Sequence, residues 1–259
     1  MQYTHRTITM SKREKITISG RGCFLYHEAE ATHLLIQPVD EHDLEVLDQE
    51  IDAIKNQTKT PFSLVALLIN NWNQELTPWA APAVFGRIPF GDGANDTLKF
   101  IIEQLLPNLA ADGIYDSRMK LLLGGYSLAG LFALWSTYQT DLFNGIAAAS
   151  PSIWFPQWID YAAEKKPFAK SIYLSLGDKE EKAKNPVMAQ VGNAIRKQHE
   201  LLTEQEVNTI LEWNVGNHFV DSEKRMAKGF VWLLNNQNDA TKVYHHNGRL
   251  FSSGHGQPA

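Results

Sequence analysis

The sequence predicts an α/β protein, a mostly parallel sheet with helices on both faces. Three observations predict it. Apolar runs of strand length alternate with segments whose apolar residues recur at spacings of three and four. Several of the strand-like runs are apolar without alternation, as strands covered on both sides must be. Between the two kinds lie Gly-, Pro- and Asn-rich stretches that break regular structure. A chain of 259 residues with seven tryptophans can bury a sizeable core as one domain. That domain is expected to span residues 1–236, and residues 237–259 form a polar tail, expected to be loosely ordered, with little to bury.

Taken in order, residues 15–19 (Lys-Ile-Thr-Ile-Ser) alternate as a half-buried strand, and 32–37 supply a second short apolar run. Residues 43–54 place Leu44, Leu47, Ile51 and Ile54 on one helical face, with a cap near Glu41 to Asp43. Residues 62–69 read as a central strand. Residues 70–95 are rich in Pro, Gly, Asn and aromatics, lack periodicity and read as a long loop; loops of that length are commonly functional. A helix follows over 96–109 with Leu98, Ile101, Ile102, Leu105 and Leu109 inward, then a strand over 119–123 and a helix from Leu128. Strands at 145–149 and 171–176, a helix at 187–202, a strand at 208–213 and a helix at 222–234 complete the alternation.

Composition narrows the function. The net charge is -5, with acids and bases interspersed, so no basic face is offered to nucleic acid or anionic lipid. No apolar run approaches the roughly 20 residues that cross a bilayer, and residues 1–20 carry no secretion signal, so a cytoplasmic location is expected. The single cysteine, Cys23, cannot form an internal disulfide and reads as a core residue. His245, His246 and His255 in the tail lack a thiol or carboxylate set at ligand spacing, so neither metal nor cofactor is expected.

Residues 124–130, Gly-Gly-Tyr-Ser-Leu-Ala-Gly, join a buried strand to an apolar helix. A serine raised above a sheet edge on so sharp a turn needs small residues two positions before and after it, and Gly125 and Ala129 meet that need. The pattern is the nucleophile turn of an α/β-hydrolase, with Ala at the place where Gly is usual. Ser127 is then the nucleophile, and the first amide of the following helix, Leu128, is an oxyanion donor.

Hydrolases of this architecture carry the acid and the histidine after later strands, in that order. The strand at 171–176 is followed by Gly177-Asp178-Lys179-Glu180-Glu181, which offers three carboxylates at the rim. Glu180 is favoured as the orienting acid, being three residues past the closing glycine, with Asp178 as the alternative. The strand at 208–213 leads to Gly216-Asn217-His218-Phe219, and of nine histidines His218 alone falls where the base belongs. His27, His33, His42 and His199 lie elsewhere and read as structural or exposed.

With these residues in place the chain resembles the Putative esterase family, the esterase D-like group of α/β-hydrolases that includes enterochelin and related siderophore esterases. The resemblance rests on Gly-Gly-Tyr-Ser-Leu-Ala-Gly-Leu-Phe-Ala-Leu at 124–134, Ala-Ser-Pro-Ser-Ile-Trp-Phe at 149–155, Leu-Gly-Asp-Lys-Glu-Glu at 176–181 and Gly-Asn-His-Phe at 216–219. It implies hydrolysis of a small-molecule carboxylic ester through an acyl-enzyme without a cofactor. Acyl transfer on the same fold, or a binding protein that has lost the chemistry, are the rival readings.

The second oxyanion amide is expected at the start of the loop after the strand at 62–69, near Asn70, Asn71 or Trp72, with Asn71 the representative choice. Trp72, Trp79, Phe85 and Phe90 of that loop, with Trp154, would form an aromatic wall for substrate or else pin the loop to the body. Arg87, in the same loop, reads as a surface residue.

Overall fold

The computed structural model describes residues 13–84 and 86–236; the expected polar tail, with its three histidines, and Phe85 lie outside the described residues. Two short strands open the fold, β1 (Glu14–Ile18) and β2 (Arg21–Tyr26). Ser19 and Gly20 turn the chain between them with φ of 47° and 81°, a two-residue turn with both central residues left-handed, whose twist matches the flanking strands. β2 is absent from the expected elements because Arg-Gly-Cys-Phe-Leu-Tyr neither alternates nor forms a long apolar run. Cys23 is fully buried in β2, and desolvation pushes its thiol up to about 11.

β3 (His33–Val39) and β4 (Phe62–Leu68) follow on either side of helix α1 (Glu41–Gln57). α1 begins two residues before the expected start. Its N-cap is Asp40, whose carboxylate accepts from the Asp43 N–H while the Asp43 carboxylate accepts from the Asp40 N–H, a reciprocal cap that satisfies two otherwise orphaned donors. The loop at 70–95 holds an unexpected one-turn helix, α2 (Trp72–Glu75).

The helix expected over 96–109 is broken by one wide turn. α3 (Ala94–Phe100) passes through a π-helical segment, Ile101–Leu105, into α4 (Leu106–Ala111). The cause is Pro107, which has no N–H to give and whose ring crowds the carbonyl four residues back. The wider turn leaves Ile102 at 37% exposure, against expectation, while Leu98, Ile101, Leu105 and Leu109 are buried.

The remaining elements are β5 (Lys120–Tyr126), α5 (Leu128–Ser136), β6 (Gly145–Ala149), α6 (Trp158–Ala163), β7 (Ser171–Gly177), α7 (Val191–Glu204), β8 (Asn208–Asn214) and α8 (Ser222–Asn236). α6 is unexpected, and residues 188–190 form a separate 3-10 turn ahead of α7. All eight strands form one sheet in the order β1-β2-β4-β3-β5-β6-β7-β8. β2 is antiparallel to both neighbours, and every pair from β4 to β8 is parallel.

Alternate residues of the central strands feed two cores. Leu35, Leu122 and Ala147 pack under α1 and α8, while Leu34, Ile36, Leu121, Leu123 and Ala148 pack under α3 to α7. This two-sided burial is why those strands read as uninterrupted apolar runs. It also leaves the carboxyl ends of β4 to β8 to carry polar side chains at one edge. Among the described residues no helix is long and apolar enough to cross a membrane.

Candidate active site

Backbone geometry builds the turn around Ser127. β5 runs three residues beyond its apolar stretch, through Gly124, Gly125 and Tyr126, before Ser127 takes φ 57° and ψ -122°. Side chains rarely tolerate positive φ, so this is stored strain. The turn folds residue 129 back onto residue 125: a Cβ on Gly125 would lie 2.3 Å from the Ala129 carbonyl carbon. Ser127 N–H donates to Ala149 O at 3.2 Å, and Ser152 N–H donates to Ser127 O at 3.0 Å. The loop after β6 thus clamps the turn.

From this perch Ser127 Oγ lies 3.1 Å from His218 Nε2, and His218 Nδ1 lies 2.7 Å from Glu180 Oε2. An ionised carboxylate only accepts, so Nδ1 carries the imidazole proton and Nε2 is left to accept from the serine. Burial pushes the Glu180 carboxyl up, but hydrogen bonds from His218, Ser150 and the Gly177 N–H outweigh it and hold the group below its ordinary value. The other two carboxylates of that loop go elsewhere. Asp178 is exposed and accepts from the Gly216 N–H at 2.8 Å, tying the loops after β7 and β8 together. Glu181 pairs with Arg196 at 2.9 Å.

Four residues of this network escape a reading of sequence. Arg225, from α8, is 1% exposed. Its Nη1 donates to Glu180 Oε1 at 3.0 Å, to Ser150 Oγ and to the Tyr126 hydroxyl, and its Nη2 donates to the carbonyls of Val215 and Asn217. Ser150 donates to Glu180 Oε1 at 2.7 Å. Tyr126, whose hydroxyl burial pushes up to about 12, donates to the His218 carbonyl. Ser152 is 2% exposed, with its Oγ 3.2 Å from that of Ser127. The available signal is Arg225 itself, a charge one and two turns before Gly229 and Leu233 on the buried side of α8.

The two amides expected beside Ser127 differ, and one expectation requires a correction. Leu128 is the first residue of α5, so its N–H has no intrahelical acceptor. The amides of Asn70 and Asn71, however, both donate to Glu75 Oε1, at 3.1 and 2.8 Å. Glu75 reaches back from α2 to the start of its own helix, so Asn71 is already engaged. Trp72, the next residue, lies at the helical N-terminus and lines a cavity of about 160 Å³ with Ser127, Tyr126 and His218.

A larger cavity of about 640 Å³ adjoins it, lined in part by Trp154, Ser150, Glu180, His218 and Phe219. Trp79 is not part of either. Its indole N–H donates to Pro156 O at 3.0 Å and its ring packs on Phe155 and Tyr161, so it pins the loop to the body. Arg87 is exposed.

The strand order, the strained serine between β5 and α5, and the histidine after β8 define an α/β-hydrolase. More narrowly, residues 65–227 match the family described as Putative esterase, and the chain belongs to it. Membership supports ester hydrolysis. The uncharacterized protein YbbA of Bacillus subtilis (strain 168) is 21% identical over 203 residues, 74% of this chain and 80% of that protein.

Among solved structures, the siderophore hydrolase EstA from Aspergillus nidulans superposes with a TM-score of 0.70 at 16% identity, over 86% of this chain and 94% of that one. The enterobactin esterase FES from Shigella flexneri does so at 0.62 and 14%, over 86% and 59%. Likenesses at these identities speak to the fold.

Proposed function

We infer that the protein is a serine esterase that cleaves a small-molecule carboxylic ester through an acyl-enzyme. The observation that carries this reading is one imidazole hydrogen-bonded on one side to a strained serine and on the other to a buried, ionised carboxylate. Ser127 Oγ attacks the ester carbonyl as His218 Nε2 takes its proton, and the imidazolium passes that proton to the departing alkoxide. Glu180 fixes the ring's tautomer and balances its transient charge. Water then repeats the sequence on the acyl-enzyme and frees the acid.

Oxyanion stabilisation falls to the Leu128 amide and, in place of Asn71, the Trp72 amide, since both head short helices beside Ser127. A fluorophosphonate probe tests the reading directly. Wild-type protein is expected to label stoichiometrically and Ser127→Ala not at all, with ester hydrolysis reduced on the order of 10⁵-fold. A folded wild type that does not label would overturn it. Product analysis with an acceptor alcohol present separates hydrolysis from acyl transfer.

A further inference from the structure

The cavity at Ser127 and the larger one beside it share His218 and Phe219 but differ in the sign of their charge. Three lysines, Lys179, Lys182 and Lys184, line the 640 Å³ cavity, with Glu180 its only carboxylate among the described residues. Both oxygens of Glu180 are already hydrogen-bonded within the triad network. The other two acids of that segment are engaged elsewhere and line neither cavity, Asp178 by the Gly216 N–H and Glu181 by Arg196. None of the three lysines has an ion-pair partner among the described residues. In a chain of net charge -5, the mouth of this cavity is locally cationic.

The cavity's remaining walls include the apolar side chains of Trp154, Met188, Val191 and Phe219, which range from buried at Val191 to 87% exposed at Phe219. The smaller cavity is bordered instead by Asp40 and Asp43. An ester bearing an anion is therefore attracted to one side of His218 and repelled from the other, so the charges select its orientation as well as its identity.

We propose that the larger cavity is a specificity pocket for esters that carry a carboxylate on an apolar or aromatic body, the body lying against Trp154 and Met188 and the carboxylate meeting Lys179, Lys182 and Lys184. The proposal rests on the serine-esterase reading of Ser127 and His218. A neutral ester uses the apolar walls alone, and a cationic one is excluded by the rim.

The test compares matched esters in weakly alkaline buffer, above the value of about 6 to which burial and then Asp40 raise Asp43. One pair, para-nitrophenyl hemisuccinate and para-nitrophenyl butyrate, differs by an anion on the acyl part. A second, para-acetoxybenzoate and its methyl ester, differs by an anion on the alcohol part. Wild type is expected to favour the anionic member of at least one pair in kcat/KM. The triple variant Lys179→Gln, Lys182→Gln, Lys184→Gln should lose about tenfold on that ester, the sum of three partly exposed contacts, and stay within about twofold on its neutral partner. Added salt should erode the wild-type preference. No preference in either pair, or equal losses on both members, overturns the proposal.

Calorimetric binding of monomethyl terephthalate to the Ser127→Ala protein provides an arm independent of turnover. Weaker binding when the three lysines are also replaced supports the pocket, and unchanged binding overturns it. Failure of wild type to label with fluorophosphonate would instead sink the esterase reading and leave the calorimetric comparison intact.

Discussion

Ser127 and Glu180 stand at opposite ends of one hydrogen-bonded chain through His218, the proposed proton relay, yet they are held by different means. The serine is fixed by main chain: a positive φ, a helix start, and a backbone hydrogen bond on either side of it. Glu180 is fixed by groups that converge from four parts of the chain, the Gly177 N–H, Ser150, His218 and Arg225. The first arrangement needs small residues at set spacings and so writes a local motif. The second needs donors that meet mostly in space: apart from the Gly177 N–H three residues away, they are 30, 38 and 45 residues from Glu180. One end of the relay should therefore tolerate no added atom, and the other should respond to lost charge.

Among variants that keep Ser127, the acid end offers the largest effect. Glu180→Gln keeps the shape but removes the charge that fixes His218, and kcat should fall roughly 10⁴-fold with little change in KM. A pH profile adds a sign. Because the Glu180 carboxyl is depressed in the folded protein, its stabilising contribution is complete above the unfolded-state pKa and is lost as pH falls through the lower folded value. Acid unfolding of wild type should thus lose this contribution below the ordinary carboxylate range, and Glu180→Gln should lack that part of the slope.

Next comes Arg225→Leu. The substitution leaves Glu180 Oε1 without its buried cation and removes the guanidinium donor from the carbonyls of Val215 and Asn217. Loss of one partner of a buried pair costs about 3–5 kcal/mol, which denaturant unfolding would read. Arg225→Lys should recover only part, because an ammonium cannot reproduce the fork that spans Glu180, Tyr126 and two carbonyls. Full recovery would mean that charge alone holds the acid end.

The same contrast decides what was legible. The alternation of strands and helices, the two-sided burial of the central strands and the turn at Ser127 follow from local periodicity and small-residue spacing. His218 and the rim carboxylates follow from the order of strands. Glu180 is favoured over Asp178 by its place three residues after Gly177, but the reason for that preference is three-dimensional: His218, Ser150 and Arg225 converge on Glu180, while Asp178 holds the Gly216 N–H. Asn71 misleads for a related reason: its place after β4 is right, but Glu75 occupies its amide, a side-chain choice that the loop's sequence shows only once α2 is known. Trp79 likewise belongs to the packing of Phe155 and Tyr161. Ile102 is misplaced because one proline changes the helical period.

At the nucleophile end, Gly125→Ala sharpens the comparison. The added carbon would meet the Ala129 carbonyl carbon and oxygen at 2.3 and 2.4 Å, and backbone cannot swing aside as a flexible side chain would. Destabilisation of about 2–3 kcal/mol is expected, together with reduced fluorophosphonate labelling as the serine leaves its strained position. Stability and labelling both unchanged would show that the turn yields more than its contacts indicate.

The smallest effect tests whether any side chain assists the backbone at that end. Ser127 has one hydroxyl proton, and His218 Nε2 is its acceptor in the relay, so the 3.2 Å contact with Ser152 is assigned Ser152 as donor. A donor there supports negative charge on Ser127 Oγ as the proton departs. Ser152→Ala removes that hydroxyl but keeps the Ser152 N–H that donates to Ser127 O, so the backbone clamp survives. Loss of one net hydrogen bond of about 1 kcal/mol lowers kcat about fivefold at unchanged KM. An increase in kcat would assign the opposite direction, with Ser152 competing against His218 for the serine's proton, and the nucleophile would then be held by backbone alone.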